Sequence, residues 1–268
     1  MTGGEAHPEA AGMREPAHTP PLIVLVHGAF TDASSWTRVI GLLHGAGLTV
    51  HAPANPLRGL EQDAAYVRSV VRQSGVPVVL VGHGYGGAVI THAASGADNV
   101  VALCYVAAFG LDEGECVLDI TSRFAPMPSA DATVTAVFPT GSPDGPGREL
   151  YIRAERFPQV FAADLPPQDN QVLAVRQRPI AQGALTDRSG PPAWASTPSW
   201  YAIAAADRML NPAAQRFMAQ RMAATERVLD AASHAAVLSQ PAAVAAMIRA
   251  AAGRGRSRGD GTHRRLLS

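Results

Sequence analysis

Val78-Val79-Leu80-Val81-Gly82-His83-Gly84-Tyr85-Gly86-Gly87-Ala88-Val89-Ile90 is the stretch on which the fold turns. Val78 to Val81, directly after Pro77, is a short wholly apolar run, read as a strand buried on both faces. Tyr85 to Ala94 continues as a helix. The turn between them is spaced G-x-G-x-G. In the related G-x-S-x-G turn, serine stands at the apex of a sharp strand-to-helix bend, and glycines flank it because a side chain there would strike the neighbouring strand or helix. Gly82 and Gly86 meet that need, and Gly84 stands where serine would. A dinucleotide-binding turn is the competing reading. It requires G-x-G-x-x-G with an acidic residue closing the next strand, and here the second strand has already passed.

Working outward, Leu22 to Val26 is a first buried strand after Pro20-Pro21, and Ser34 to Leu43 has helical spacing through Trp36, Val39, Ile40 and Leu43. Leu48 to Ala52 is a second strand. Leu60 to Gln73 is a helix that turns Leu60, Ala64, Val67, Val70 and Val71 to the core. After the central turn comes strand Val100 to Ala107. Alternation resumes late in the chain with strand Trp200 to Ala204, helix Pro212 to Ala223, strand Arg227 to Leu229 and a helix from Pro241 to about Ala251; both prolines sit where a first helical turn accepts them. This order predicts an α/β fold, a doubly wound and mostly parallel sheet with helices on both faces. Residues 110–190 break the pattern with many prolines between short amphipathic pieces such as Arg156 to Ala163, and are read as an inserted cap. The expected domain is 21–252, between a disordered tail at 1–20 and a disordered, Arg- and Gly-rich tail at 253–268.

Composition removes several chemistries. Every one of the 22 basic residues is arginine, so a Walker lysine, a pyridoxal Schiff base and a lysine general base are all impossible. Formal charge is zero and the interior holds no basic run, which favours a small neutral substrate over nucleic acid or a membrane surface. Cys104 and Cys116 are the only cysteines, too few for a disulfide framework and without zinc-ligand spacing. A reducing cytoplasm, no cofactor and no metal are expected. The first twenty residues lack the apolar run of a signal peptide, and no stretch is long enough to span a bilayer.

Three further signals fall at strand ends. His27-Gly28-Ala29-Phe30 follows the first strand, Asp207 follows Trp200 to Ala204, and His234 follows Arg227 to Leu229. Each alone has a plain structural explanation, as a capping acid or a solvated histidine. Together they stand in the chain order elbow, acid, histidine of a hydrolytic triad. With LIVLVHGAFTDASSW (22–36), VVLVGHGYGGAVI (78–90), YVAAF (105–109), AAADRMLNPAAQRFMAQRM (204–222) and DAASHAAVLSQP (230–241), the chain resembles the α/β-hydrolase superfamily from about Pro21 to Ala251. Within it, the likeness is to the small-cap branch of plant methyl-salicylate-type esterases, hydroxynitrile lyases and actinobacterial hydrolases. The resemblance implies that Ala29 and Tyr85 supply oxyanion-hole N–H groups, Asp207 the orienting acid and His234 the base, with Gly84 vacant at the nucleophile position.

Glycine excludes an acyl-enzyme at that position. The expected function is general-base chemistry by His234 on a small carbonyl compound, an elimination, cyclisation, isomerisation or lyase reaction of the kind found in specialised pathways such as antibiotic biosynthesis. The alternatives are an esterase that activates water in the space left at Gly84, an esterase inactivated by substitution, and a non-catalytic ligand binder; a homodimer stays open. His83 is read as a packing residue, Cys104 as core, His92 as a satisfied group and Cys116 as a remote nucleophile. Phe124, Met127, Phe138 and Trp194 are candidates to line the cap side of a pocket.

Overall fold

The computed structural model describes residues 19–141, 143 and 145–263, with side chains up to residue 254. All but the last two residues of the expected N-terminal tail lie outside the described residues. In chain order the elements of the first half are β1 (Leu22–Val26), α1 (Thr37–Gly45), β2 (Val50–His51), α2 (Leu60–Gln73), β3 (Val78–His83), α3 (Tyr85–Ala93) and β4 (Val100–Val106). The inserted segment holds α4 (Val117–Ser122), β5 (Thr133–Phe138), β6 (Gly147–Ile152), α5 (Phe157–Val160), α6 (Pro167–Val175) and β7 (Ile180–Ala181). The chain then returns through β8 (Ser199–Ala204), α7 (Pro212–Arg221), β9 (Thr225–Leu229), α8 (Ala236–Ser239) and α9 (Pro241–His263).

The main sheet has the order β2-β1-β3-β4-β8-β9, and every pairing in it is parallel. Strand alternation builds two cores. Val24, Val26, Leu80, Leu103, Tyr105, Tyr201 and Ile203 face α2, α3, α7 and the cap. Ile23, Leu25, Val79, Val81, Cys104, Trp200 and Ala202 face α1, α8 and α9. A parallel sheet covered on both sides needs such two-faced strands, and β3 is buried at all six positions. Because all strands run the same way, the loops after β1, β3, β8 and β9 emerge at one edge, where sheets of this class place their ligands.

Several boundaries differ from expectation for local reasons. The segment before α1 is a 3-10 turn, Ala33–Trp36, capped by Asp32 accepting from Ser34 N–H at 2.8 Å. The second strand shrinks to two residues at the sheet edge, where little pairing is available. The last helix passes its expected end and runs to His263; arginine is a good helix former and no proline stops it. The first part of the expected C-terminal tail is therefore helical, and residues 264–268 lie outside the described residues. The cap is more regular than the prolines suggested, with β5, β6 and β7 forming an antiparallel sheet. Its root is tied to the main domain by Arg221, which donates to Glu115 Oε1 at 2.9 Å and Oε2 at 2.6 Å. Among the described residues no helix is long and apolar enough to cross a membrane.

The β3–α3 turn is the tightest place in the fold. A Cβ on Gly82 would stand 2.6 Å from the Gly86 carbonyl carbon, and one on Gly86 would press on the carbonyls of Val26 and His27. Gly86→Ala is therefore expected to lose about 1–3 kcal/mol or more through overpacking against backbone that has nowhere to go. Gly41, inside α1, has nothing within 4 Å of such an atom, and Gly41→Ala should gain up to about 1 kcal/mol. Urea denaturation of the two variants checks both signs, and equal midpoints would refute the packing argument.

Candidate active site

Asp207 and His234 leave β8 and β9 on loops that bring their side chains together, with His234 Nδ1–H donating to Asp207 Oδ2 at 2.7 Å. The carboxylate is fully engaged. Its Oδ1 accepts from the N–H groups of Met209 at 2.7 Å and Leu210 at 3.0 Å, and its Oδ2 also accepts from Gln215 Nε2 at 2.8 Å. Gln215, on α7, in turn accepts from Ala204 N–H at 2.9 Å. This fully buried amide locks the acid to the end of its strand, and sequence reasoning missed it because a glutamine on a helix carries no distinguishing pattern.

Gly84 sits at the apex of the β3–α3 turn with φ 53° and ψ −123°. The backbone is held there by Gly84 N–H donating to Val106 O at 3.3 Å, and by Gly84 O accepting from Phe109 N–H at 3.0 Å and Gly87 N–H at 3.1 Å. A Cβ at Gly84 would point at His234 Nε2, 3.1 Å away, with Gly28 Cα at 3.8 Å. The imidazole thus presents its second nitrogen to the turn while the first is bound to Asp207. Tyr85 follows Gly84 and Ala29 follows Gly28, whose Cα stands by the same spot, and among the described residues neither backbone N–H has an acceptor. Tyr85 is also anchored by its side chain, whose hydroxyl donates to the buried Asp63 at 2.9 Å. Asp63, which sequence reasoning did not single out, fastens α2 to the N-terminus of α3.

Two buried histidines brace this framework. His27 Nδ1–H donates to Gly28 O at 2.9 Å, while Asn55 donates its backbone N–H to His27 Nε2 and its amide to His27 O, both at 3.0 Å. Burial holds the His27 pKa down to about 4. His83 Nε2–H donates to the His234 carbonyl at 2.8 Å, and burial together with the neighbouring His234 lowers its pKa to about 3. His83 is thus a structural support for the loop carrying His234, in keeping with its reading as a packing residue.

The cap closes over the histidine. Phe161 meets the His234 ring edge-on at 5.1 Å and stacks on Phe157 at 4.8 Å. Ser233 N–H donates to Asp164 Oδ2 at 3.0 Å, the Ser233 hydroxyl bonds Asp164 Oδ1, and Ala235 N–H donates to Phe161 O at 3.0 Å. His234 is 6% exposed and Asp207 2%, so the pair is shielded from bulk water. Other candidates have different company. Phe124 packs on Phe217, Phe138 lies beneath the Arg58 guanidinium, and Trp194 donates to Leu111 O. Cys104 and Cys116 are buried, and His92 bonds Glu61 at 2.6 Å. Among the described residues no three His, Cys, Asp or Glu side chains stand together as metal ligands.

Residues 23–247 match the sequence profile of the alpha/beta hydrolase family. The chain belongs to that family. Among relatives of this hydrolase-family chain, the "Alpha/beta hydrolase nvfD" of Aspergillus novofumigatus is 27% identical over 255 residues, spanning 87% of this chain and 97% of the relative. The crystal structure of polyneuridine aldehyde esterase superposes with a TM-score of 0.73 at 18% identity, covering 86% of this chain and 98% of the other. A pyrethroid hydrolase from Sphingobium faniae JZ-2 superposes at 0.69 with 24% identity, covering 88% and 98%. At these identities the two structures speak for the fold alone.

Two outcomes follow from the site geometry. Gly84 holds a positive φ that a side-chain-bearing residue adopts only under strain, so Gly84→Ser should lower stability by about 1–3 kcal/mol, readable as a drop in Tm. Histidines buried in the neutral form destabilise the fold when they must charge. Their contribution is complete above the ordinary value of 6.5 and is lost as pH falls through about 4. Urea midpoints should therefore fall steadily on acidification below about pH 6.5 and stay level just above it; a midpoint unchanged on acidification would contradict the burial of His27 and His83.

Proposed function

We propose that this chain is an enzyme in which His234, oriented by Asp207, acts as general base on a small carbonyl compound. The N–H groups of Ala29 and Tyr85 stabilise the enolate or alkoxide that forms. The observation that carries the reading is the bonded Asp207–His234 pair whose free Nε2 faces a glycine at the N-terminus of α3. Gly84 occupies the nucleophile position and offers no hydroxyl, so no acyl-enzyme forms there. Proton transfer to and from the substrate remains open to the imidazole, and the helix N-terminus adds positive potential to the donors. Elimination, cyclisation, isomerisation and lyase reactions each need that pairing of base and anion stabiliser. A second reading, hydrolysis by a water that His234 activates, is favoured by the names of the relatives, which are hydrolases and esterases. General-base assistance is worth roughly 10²- to 10⁴-fold, enough for an activated ester and poor for a plain one. That magnitude ranks hydrolysis second.

The decisive experiment restores the missing atom. Gly84→Ser should release a burst of p-nitrophenol from p-nitrophenyl acetate and should take up a serine-directed phosphonate, seen by intact-mass spectrometry, whereas the unaltered protein should do neither. An adduct on the unaltered protein would reveal another nucleophile, and folded Gly84→Ser protein without burst or adduct would break the assignment of Ala29, Tyr85, Asp207 and His234 to one site. In a substrate screen, His234→Ala should abolish turnover and Asp207→Asn should reduce it less. Unchanged product formation by His234→Ala would exclude it as the base.

A further inference from the structure

Arg178 lies just before β7, and its carbonyl accepts the N–H of Phe30 at 2.9 Å. The cap is thereby joined to the Gly28–Phe30 loop, one residue beyond the Ala29 donor. Three residues on, Ala181 N–H donates to Leu57 O at 2.9 Å, so this stretch of cap runs along the strand ends of the main domain. The position is therefore beside the site and fixed by backbone bonds on both sides.

The side chain is unlike the other half-buried arginines. Arg58 donates to Glu149 at 2.7 Å, Arg68 to the carbonyls of His92 and Ala93 at 2.7 and 3.2 Å, and Arg221 to Glu115 at 2.6 Å and the Gly110 carbonyl at 2.6 Å. Arg178 Nε and Arg221 Nε are both enclosed without an acceptor, but of these four arginines only Arg178 also lacks a hydrogen-bond acceptor or ion-pair partner for its terminal nitrogens among the described residues. Its charge is felt by His27, the residue that opens the loop. The acid nearest in sequence to that loop, Asp32, is taken by Arg176 at 3.4 Å. The Asp207 carboxylate is saturated by its own donors. Close by, Asn55 Oδ1 is likewise buried and unpartnered.

An enclosed donor left without an acceptor costs about 1–3 kcal/mol, and more when it is charged. A lysine could escape that cost by losing its proton; a guanidinium cannot. The arrangement is explained if the acceptor arrives with the ligand. We propose that Arg178 receives a carboxylate carried by the substrate, so that the compound acted on at His234 is a small carbonyl-bearing acid. Its two terminal Nη groups, which unlike Nε are not fully enclosed, form the planar fork that binds a carboxylate through two parallel hydrogen bonds. The loop N–H of Ala29 then faces the carbonyl to be polarised while the acid group is held on the cap side. This inference rests on the reading of the His234 site given above. It revises the neutral substrate expected from overall charge balance, which carries no information about a single half-buried cation.

The test is a calorimetric titration of the full chain with three matched pairs: benzoate and benzamide, pyruvate and pyruvamide, acetoacetate and acetoacetamide. At least one acid should bind tenfold or more tightly than its amide, roughly the ratio a charge-assisted hydrogen bond supplies. Arg178→Gln should erase that preference and His234→Ala should keep it. Loss of turnover with the preference intact would count against the proposed chemistry and leave the carboxylate site standing. Binding of no acid, equal binding of acids and amides, or a preference that survives Arg178→Gln would overturn the proposal. If Arg178→Gln does not fold, the Arg178 Nε–H resonance of isotope-labelled arginine, assigned by its disappearance in Arg178→Lys, serves instead. It should move on addition of benzoate and stay in place with benzamide; an unmoved signal with both would equally overturn it.

Discussion

The first turn of α3 lies so close to the carbonyl ends of β1 and β3 that three backbone positions leave no room for a Cβ. Gly86 presses toward Val26 O, Gly82 toward Gly86, and Gly28 toward His83 O at 2.6 Å. This packing of backbone on backbone fixes where the helix begins, and hence where the N–H of Tyr85 lies relative to the loop of Ala29. Widening it by a single methyl group at any of the three would push the helix from the sheet and separate the two donors. The other residues of the site are arranged around that contact. His27 and Asn55 secure the β1 loop, Asp63 secures Tyr85, and His83 reaches across to the carbonyl of His234.

Gly84 shows how strongly the surroundings dictate local geometry. With no side chain, glycine is free to adopt many backbone conformations, yet this one keeps φ 53° and ψ −123° and directs its missing Cβ toward His234 Nε2. The bonds to Val106, Phe109 and Gly87 impose the conformation from outside. For a serine the same angles would be a store of strain, tolerated in return for reactivity. For glycine they cost little, so the turn keeps this geometry without the strain a side chain would bring.

What could be read from the sequence follows from how local each signal is. Helix α2 matches its expected bounds, Leu60 and Gln73, because apolar period and flanking breakers agree, and the adjacency of Asp207 and His234 follows from their places after consecutive parallel strands. The hairpin of β5 and β6 was hidden by the prolines of its own turn, Pro139, Pro143 and Pro146, which read as irregular chain. Gln215, Asp63, Asp164 and Arg178 were invisible for a different reason. Each matters through a partner between 8 and about 150 positions away, and such a pairing leaves no periodic trace in one sequence.

The residues on either side of His234 are bonded to the cap, Ser233 to Asp164 and Ala235 to Phe161, while Asp207 holds the imidazole from the main domain. The histidine loop is therefore shared property of two parts of the chain. Displacing Phe161–Asp164 to admit a ligand must either break these bonds or drag the loop along, and both disturb the 2.7 Å contact with Asp207. The position of the cap and the orientation of the imidazole are thus coupled through one short loop.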